Sequence, residues 1–401
     1  MKIALLTYAT KPRGSVIHTQ ELAIALTARG HNVTIVALDK DGTGFERSLP
    51  CNVALVPAQP VPPNTPHAID TLIKQRIQEL VTFLTTPTLN VSRNMGLDPG
   101  LNPVKRLDFD IYHAQDCLGA NALLELRQRG KIPHFVRTVH HVEDFQSPYL
   151  QDCQAKSIAQ PDRCLCVSQG WQQILKTAYG RDAPLVSNGV NCDRFSPHAD
   201  GREADLKTRY GLTGSPIFLT VGGIEPRKNS IQLLRAFVQV RHTHPHAQLI
   251  IAGGATLFDY QPYREEFFAI AQSLTIPDTA LILPGVVPAA DLPALYRCAD
   301  AFCFPSTKEG WGLVVLEAIA SGLPVVVSEQ PPFTEFLATN QAIWVNPAIA
   351  DTIATGMLQA VGDDAAAIVT ASQAVLAQYS WSQSAQRHEA AYAALLHESA
   401  K

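Results

Sequence analysis

Two glutamates lie eight residues apart in an otherwise apolar stretch, EGWGLVVLEA, which begins at Glu309. Gly322 and Pro324 follow this stretch and are typical of a helix end. We therefore predict a helix over roughly 313–321. Because this helix is apolar on nearly every side, it should be buried. Its single charged residue, Glu317, then needs hydrogen-bond donors from the protein or from a ligand, since a buried carboxylate without partners is costly.

The loop before this helix has the features of an anion site. Glu309 precedes Gly310, Trp311 and Gly312, and the positive end of the helix dipole lies here. Glycine lets the backbone approach a ligand closely, and the amides at a helix start bind anions such as phosphate. The alternative is structural: Glu317 pairs with a core arginine, and Glu309 is a solvated loop residue.

A cationic stretch, EPRKN, follows the apolar run IFLTV and a pair of glycines. Arginine grips a phosphate through two hydrogen bonds, whereas lysine acts as a point charge. Arg227 and Lys228 can therefore bind a phosphate-bearing ligand. The alternative is that they begin a helix on the surface.

Histidines end another apparent strand, FVRTVHH. In open α/β sheets, ligand-facing residues occupy the carboxyl ends of the strands, so His140 and His141 are candidate functional residues. Gly14 lies in the first loop, and glycine is common in loops whether or not they bind a ligand. Asn188, in the stretch SNGV, fits a binding site and a turn equally well.

The sequence predicts no metal site. Asp39 and Asp41 have the spacing of a metal-binding pair, but they fall in a polar turn after an apolar strand. Magnesium is usually held by such carboxylates together with substrate phosphates, and we interpret the pair as part of the turn. The eight cysteines include no CxxC pair, which favours reduced, buried thiols over metal ligands or disulfides.

A strand–helix rhythm surrounds these candidate residues. IALLT, a loop with a glycine, the helical stretch VIHTQELAIALTARG and the run VTIVAL form a βαβ unit, which predicts a parallel sheet. The alternation continues to PLVSNGV, loosens over about 195–214, and starts afresh at IFLTVGG. We predict an α/β protein with domains at 1–195 and 196–379 and a final amphipathic helix at 380–401.

Composition excludes several classes of protein. A net charge of −4 over 401 residues gives no electrostatic footprint for nucleic acid. The content of 46% hydrophobic and 17% charged residues is that of a globular chain. No apolar run is long enough to span a bilayer, and the run near the N-terminus is too short for a signal peptide. We therefore predict a cytoplasmic protein.

The stretch at 68–84 is predicted to form an amphipathic helix. Packing of its apolar stripe on the protein's own sheet is one interpretation. A weak peripheral contact with a membrane is the other, although the polar side of the helix is not strongly basic.

The stretch PSTKEGWGLVVLEAIASGLPVVVS resembles the signature of the retaining glycosyltransferases of family 4, which have the GT-B fold. RGHNVTIV, FDIYHAQD, VRTVHH, LCVSQG, VSNGVNCDRF and VGGIEPRKN resemble successive blocks of that family in the same order. The resemblance therefore covers most of the chain. It implies two Rossmann-like domains facing a central cleft, with the nucleotide sugar held mainly by the second domain and the final helix packed back on the first.

The resemblance also implies roles for the residues around the two glutamates. Glu317 would accept hydrogen bonds from the ribose hydroxyls of the donor. Glu309 would contact the sugar ring near hydroxyls 3 and 4. The amides of Gly310, Trp311 and Gly312 would help to hold the sugar and the phosphate.

Further roles follow for the polar loops. Lys228 and Arg227 would stabilise charge on the leaving diphosphate. His140 would contact the transferred sugar from the first domain, and Gly14 would approach the diphosphate or the acceptor. The family often has an arginine where this chain has Gly223; Arg227 or a cation from the first domain would then have to compensate.

We therefore expect a metal-independent, hexosyltransferase-type retaining enzyme. Its donor would be a nucleoside-diphosphate sugar, it would need no other cofactor, and its acceptor is not identified. An inert sugar-nucleotide-binding subunit is the alternative, because of Gly223. A nicotinamide-dependent dehydrogenase is disfavoured, because the first loop, TKPRGS, lacks the pattern G-x-G-x-x-G.

Overall fold

The chain divides into two compact units. The computed structural model describes residues 1–60, 68–86, 107–254 and 260–399. Unit 1 comprises Met1–Asn188 and Trp381–Lys401, and unit 2 comprises Gly189–Ser380. The division that the sequence suggested, at 195/196, lies seven residues beyond the junction between Asn188 and Gly189.

Unit 1 contains a parallel sheet of six strands in the order β3-β2-β1-β4-β5-β6. The strands are β1 (Lys2–Thr7), β2 (Asn32–Asp39), β3 (Asn52–Pro57), β4 (Ile111–Ala114), β5 (Val136–Val139) and β6 (Arg163–Cys166). The helices up to the junction are α1 (Gly14–Ala28), α2 (Ala68–Thr85), α3 (Cys117–Gln128), α4 (Pro148–Ala159) and α5 (Gln169–Tyr179). The strand order reverses between β1 and β4, and ligands of open α/β sheets bind at such switch points.

Unit 2 repeats this arrangement in the order β12-β11-β10-β7-β8-β9. Its strands are β7 (Ile217–Val221), β8 (Gln248–Ala252), β9 (Leu281–Gly285), β10 (Ala301–Phe304), β11 (Val325–Ser328) and β12 (Ile343–Val345). Its helices are α6 (Glu203–Tyr210), α7 (Ser230–Thr243), α8 (Gln261–Ser273), α9 (Leu292–Arg297), α10 (Leu313–Ala320), α11 (Phe333–Phe336), α12 (Ala350–Ala360) and α13 (Ala365–Leu376), and a short 3₁₀ turn covers Pro226–Lys228. The switch point of this sheet lies between β7 and β10.

The central strands form because their apolar runs are covered on both faces. β1 and β2 are buried at every residue after the first, and β8 and β11 are buried throughout. Parallel strands enclosed by helices on both sides have this continuous apolar character. The predicted α/β class, with two Rossmann-like domains, is confirmed.

The apolar stripe predicted for α2 lies in the core of unit 1. Its buried side chains there are Ile73, Ile77, Leu80, Val81 and Leu84. Because the protein itself covers this stripe, the structure favours packing and gives no support to the membrane alternative. Within the part of the chain that the structure describes, no helix combines the length and apolar character needed to cross a bilayer.

The last helix, α14 (Trp381–Ser399), belongs to unit 1 and packs against α1. Ser384 Oγ donates a hydrogen bond to the carbonyl oxygen of Ser187 at 2.8 Å. The hydroxyl of Tyr392 lies 2.7 Å from His113 Nδ1, inside the core. The C-terminal helix therefore completes the unit that the N-terminal half of the chain begins.

Candidate functional site

The predicted cations and Glu309 meet at the switch point of the unit 2 sheet. β7 ends at Val221, β10 ends at Phe304, and these neighbouring strands pair in parallel. The loop after β7 carries Arg227 and Lys228, and the loop after β10 carries Glu309. Because the carboxyl ends of parallel strands share one edge of the sheet, residues 81 positions apart become neighbours.

Three donors converge on one carboxylate oxygen of Glu309. Lys228 Nζ lies 2.7 Å from Oε1, and Arg227 Nη1 lies 3.1 Å from it. Ser306 Oγ lies 2.6 Å from the same oxygen. The ammonium of Lys228 also lies 4.3 Å from the centre of the Phe304 ring, a cation–π contact. The side chains are therefore held in fixed positions by one another.

The charges of this group are mutually compensated, and those of Lys228 and Glu309 are largely enclosed, whereas the Arg227 side chain is 36% exposed. The side chains of Lys228 and Glu309 are only 13% and 8% exposed. Burial alone would raise the pKa of Glu309, but Lys228 and Arg227 outweigh it and hold that pKa below its ordinary value. Burial, helped by the charge of Arg227, lowers the pKa of Lys228, and Glu309 opposes this shift. In this structure the Glu309 carboxylate neutralises the two cations predicted to bind a diphosphate.

The start of α10 combines open amides with a glycine that the backbone requires. Among the described residues, the backbone amides of Gly310, Trp311 and Gly312 have no hydrogen-bond acceptor. Gly312 caps the helix with φ of 102°, and a Cβ at this position would lie 2.7 Å from Cε1 of Phe333. The indole of Trp311 is buried and stacks on Phe336, with ring centroids 4.8 Å apart. The ring of Trp311 is thus engaged in packing, and its backbone amide is the group that the described residues leave without an acceptor.

Glu317 lies in α10, which runs from Leu313 to Ala320, where the sequence predicts a helix. It is buried, and its Oε2 accepts a hydrogen bond from Tyr296 Oη at 2.9 Å. Burial, reinforced by the charge of Glu317, raises the pKa of Tyr296 well above its ordinary value. The phenol therefore stays protonated and is one donor that satisfies this buried carboxylate.

The backbone around Gly223 leaves no room for the arginine that the family often has there. A Cβ on Gly223 would lie 2.6 Å from the carbonyl oxygen of Gly254, so a side chain would force the loop to move. Arg227 supplies a second cation nearby, and its Nε pairs with Glu225 Oε2 at 3.0 Å. This chain thus has glycine where the family often has an arginine, and it has Arg227 in the charged group around Glu309.

In unit 1, His140 follows β5 directly and is buried. Its Nε2 lies 3.2 Å from Gln115 Oε1. Burial lowers the pKa of His140 well below its ordinary value, and neighbouring histidines and an arginine add to the shift. His141, by contrast, is 46% exposed and lies 2.6 Å from Glu143. Of these two histidines, His140 is therefore the one that is enclosed by the protein.

Gly14 and Asn188 have different surroundings. Gly14 opens α1 and is exposed, and a Cβ built there would meet nothing within 4 Å. Among the described residues, no close contact requires a glycine at this position. Asn188 is buried, and its Oδ1 lies 2.8 Å from His18 Nδ1, so its side chain has a specific partner beyond any role in a turn.

Asp39 and Asp41 stabilise a turn, as predicted. The amide of Gly44 donates to Asp39 Oδ2 at 3.2 Å. Asp41 accepts a hydrogen bond from Thr43 Oγ1 at 2.7 Å and pairs with Lys11 at 2.9 Å. In the described ranges, no group of three or more histidine, cysteine, aspartate or glutamate side chains is arranged to hold a metal ion.

Sequence reasoning missed four polar partners of the candidate residues: Ser306, Tyr296, Gln115 and His18. Gln115 and Ser306 lie within two residues of the ends of β4 and β10, and this placement could have singled them out. Tyr296 and His18 lie on helices, where their contacts depend on tertiary packing. No local pattern marks those two residues.

Two sequence-family models match this chain, one to each half. The model for Glycosyltransferase Family 4 matches residues 12–194, and the model for Glycosyl transferases group 1 matches residues 204–377. Together these matches span most of the 401 residues. The junction between them falls close to the boundary of the two compact units.

Several known proteins are similar to parts or all of the chain. A GDP-mannose-dependent α-(1-6)-phosphatidylinositol monomannoside mannosyltransferase of Mycolicibacterium smegmatis is 35% identical over 169 residues, which are 40% of this chain and 42% of that protein. The match thus spans less than half of that relative. An uncharacterised glycosyltransferase of Methanocaldococcus jannaschii is 26% identical over 95% of both chains.

Solved structures show the same fold. HepE of Anabaena, in complex with UDP and glucose, superposes with a TM-score of 0.75 and 19% identity over 98% of this chain and 100% of that chain. At this identity the likeness concerns the fold alone. With both family models matched in order along a pair of Rossmann-like units, the chain belongs to glycosyltransferase family 4 and has the GT-B fold.

Proposed function

We propose that this chain is a retaining glycosyltransferase that moves a hexose from a nucleoside-diphosphate sugar to an acceptor without using a metal ion. The observation that carries the proposal is the contact of Lys228 and Arg227 with the enclosed carboxylate of Glu309. This contact lies at the switch point of the unit 2 sheet, where open α/β sheets bind ligands. Family membership supports the same class of reaction.

The two cations suit a diphosphate. Positive groups held in place in a buried site stabilise the charge that develops on a leaving diphosphate, and they need little reorganisation. In the proposal, the diphosphate takes over part of the pairing that Lys228 and Arg227 make with Glu309. The carboxylate of Glu309 is then released to accept hydrogen bonds from sugar hydroxyls. The open amides of Gly310 and Gly312 add neutral donors at the positive end of α10.

The proposed chemistry balances without a protein nucleophile. The bond between the anomeric carbon and the diphosphate oxygen breaks, and its electron pair leaves with the diphosphate. The oxygen of an acceptor hydroxyl forms the new bond on the same face of the sugar, and its proton passes to the departing diphosphate. Configuration is therefore retained. The side chains orient the reactants and stabilise charge, and Glu309 forms no covalent bond.

The names of similar proteins suggest which donors to test first. The Mycolicibacterium smegmatis relative is GDP-mannose-dependent, and the HepE structure contains UDP and glucose. We propose GDP-mannose and UDP-glucose as the first donors in a panel that also includes ADP-glucose. A ligand that binds only the folded protein must raise its melting temperature, so thermal-shift measurements rank these donors.

A single-turnover assay tests the proposed function. The chain is incubated with each donor and with a panel of hydroxyl-bearing acceptors, and released nucleotide and product configuration are measured. Release of UDP or GDP with retained configuration supports the proposal. A donor that raises the melting temperature but is never consumed would instead favour the inert sugar-nucleotide-binding subunit. If no nucleotide sugar stabilises the protein or reacts, both functions are excluded.

Replacing Glu317 with glutamine is expected to raise the KM for the donor about tenfold to a hundredfold, with kcat changed by less than about threefold. The reason is that Glu317 is proposed to bind the ribose, far from the reacting bond, through hydrogen bonds to a charged carboxylate. Steady-state kinetics with the preferred donor provide the measurement. Glu329→Gln, at an exposed carboxylate of the same unit, is the control. An unchanged donor KM in Glu317→Gln would exclude the ribose role.

A further inference from the structure

Four histidines form a buried cluster in unit 1. They lie on α1, on β4, after β5 and on α14: His18, His113, His140 and His388, each at most 9% exposed. The rings of His18 and His140 are 4.6 Å apart, and His388 lies 5.6 Å from both His18 and His113. His140 is the member of this cluster with a proposed ligand contact, so the groups that hold its ring bear on the site.

Gln115 determines which ring nitrogen of His140 carries the proton. The Oε1 atom of Gln115 lies 3.2 Å from His140 Nε2. An amide oxygen can only accept a hydrogen bond, so Nε2 must be the donor. A neutral imidazole has a single N–H. The remaining nitrogen of His140, Nδ1, therefore carries a lone pair and can only accept.

Gln115 is itself held in place on several sides. It is 1% exposed, and its backbone amide donates to the carbonyl oxygen of Leu6 at 2.9 Å. Its Nε2 lies 3.4 Å from Nδ1 and 3.3 Å from Nε2 of His113, so the amide packs over that ring. His113 is anchored in turn, because its Nδ1 lies 2.7 Å from the hydroxyl of Tyr392 and its Nε2 lies 2.8 Å from Thr138 Oγ1. The acceptor oxygen offered to His140 is thus part of a rigid network.

His18 holds the His140 ring from a second direction. Its ring meets that of His140 edge to face, at 75°. Asn188 Oδ1, an acceptor, lies 2.8 Å from His18 Nδ1, so Nδ1 carries the proton of His18. Trp381 of α14 also packs edge to face on His18, with centroids 5.4 Å apart. The imidazole that contacts His140 is therefore fixed in both position and tautomer.

We propose that Gln115 and His18 are positioning residues that hold His140 as the Nε2–H tautomer and so present Nδ1 as a hydrogen-bond acceptor to a hydroxyl-bearing ligand. The inference rests on the proposed function for the identity of the ligand. It concerns a tautomer that can be measured whether or not sugar transfer is detected. It also means that His140 contributes a lone pair, and not a proton, to the site.

The charges around His140 favour the neutral ring. The titratable groups that face it are His18 from α1, His113 from β4, Arg137 of β5 and the adjacent His141. Burial, followed by these neighbours, lowers the pKa of His140 well below its ordinary value. The ring is therefore neutral near pH 7, as a fixed tautomer requires.

Gln115→Met removes the acceptor while nearly conserving side-chain volume. We expect kcat to fall about tenfold to a hundredfold, with the donor KM changed by less than about threefold, because the misplaced Nδ1 matters most in the transition state. We also expect the ¹⁵N resonances of the His140 ring to change from a pure Nε2–H tautomer to a mixture. Gln128→Met, at an exposed glutamine of α3, is the matched control and should alter neither quantity.

Gln115→Glu distinguishes positioning from packing. Its carboxylate also accepts from Nε2–H, so the tautomer and most of kcat at pH 8 should be recovered. The added negative charge favours the imidazolium and raises the pKa of His140. Protonated Nδ1 cannot accept a hydrogen bond, so the acidic limb of the pH–kcat profile should move to higher pH. A merely structural role for Gln115 would not move this limb.

Several outcomes would overturn the inference. It fails if His140 in the unaltered protein carries its proton on Nδ1, or if Gln115→Met leaves both tautomer and kcat unchanged. If Gln115→Met does not fold, the pair His18→Phe and His18→Leu replaces it: the phenyl edge should retain more activity than leucine, and equal activities would count against positioning. If the unaltered protein transfers no sugar, the proposed function fails, whereas the ¹⁵N measurement still decides the tautomer.

Discussion

Replacing Lys228 with methionine is expected to lower kcat by about 10²–10³-fold, the usual effect of removing one fixed donor that stabilises developing charge. Lys228 is the cation nearest to Glu309, at 2.7 Å, and it is almost enclosed by the site. A buried positive charge acts far more strongly on a diphosphate than an exposed one, because little water screens it. Glu309 keeps Arg227 and Ser306 as partners, so the variant should still fold.

Single-turnover rates with saturating donor measure this effect without interference from product release. Lys207→Met, at an exposed lysine of α6 in the same unit, is the matched control and should retain full activity. Circular dichroism and melting temperature show whether Lys228→Met is folded. A folded Lys228→Met variant with a rate within about threefold of the unaltered protein would rule out the proposed contact with the diphosphate.

Mild acid is expected to destabilise unit 1 far more than unit 2. Burial lowers the pKa of His18 to about 4 and that of His388 to about 3, against about 6.5 in an unfolded chain. As the pH falls below 6.5, these histidines become protonated in the unfolded state but stay neutral in the folded state. The stability is therefore fully present above the unfolded pKa and is lost as the pH falls. Between pH 7 and pH 5, each of these two residues should cost about 2 kcal/mol.

For His18 and His388 together the loss is about 4 kcal/mol, a substantial part of a typical domain stability of about 5–15 kcal/mol. Burial shifts the pKa of His113 and of His140 in the same direction, so these residues add to it. Unit 2 has no buried histidine among its described residues. Proteolysis of urea-equilibrated samples at pH 7.5 and pH 5, with fragments assigned by mass spectrometry, reports the two units separately. His388→Phe should reduce the acid sensitivity of unit 1. Equal shifts of the urea midpoint in both units would contradict the expectation.

The sequence was most informative where function depends on local order along the chain. The α/β class, the helix that carries Glu317 and the turn at Asp39 and Asp41 all follow from periodicity, helix-end signals and turn composition. The meeting of Lys228 with Glu309 could also be anticipated, because both follow strands whose ends share an edge in this fold. The roles assigned to these residues in catalysis remain predictions.

What the sequence could not supply are the partners that packing brings in from distant elements. The Tyr296 hydroxyl reaches Glu317 across 21 residues, and Asn188 reaches His18 across 170. Neither pair has a spacing that any helix or strand period would reveal. The reason for glycine at position 223 is likewise tertiary, because the carbonyl oxygen of Gly254 lies where a side chain would begin.

The position of α14 has a consequence for the biosynthesis of the chain. Trp381 and Tyr392, which pack on histidines in the interior of unit 1, leave the ribosome only after all of unit 2 has been translated. The nascent first part of unit 1 therefore has part of its apolar interior uncovered throughout the synthesis of unit 2, whereas the residues of unit 2 are contiguous. We expect this first part to depend on chaperones until α14 is available to pack on it.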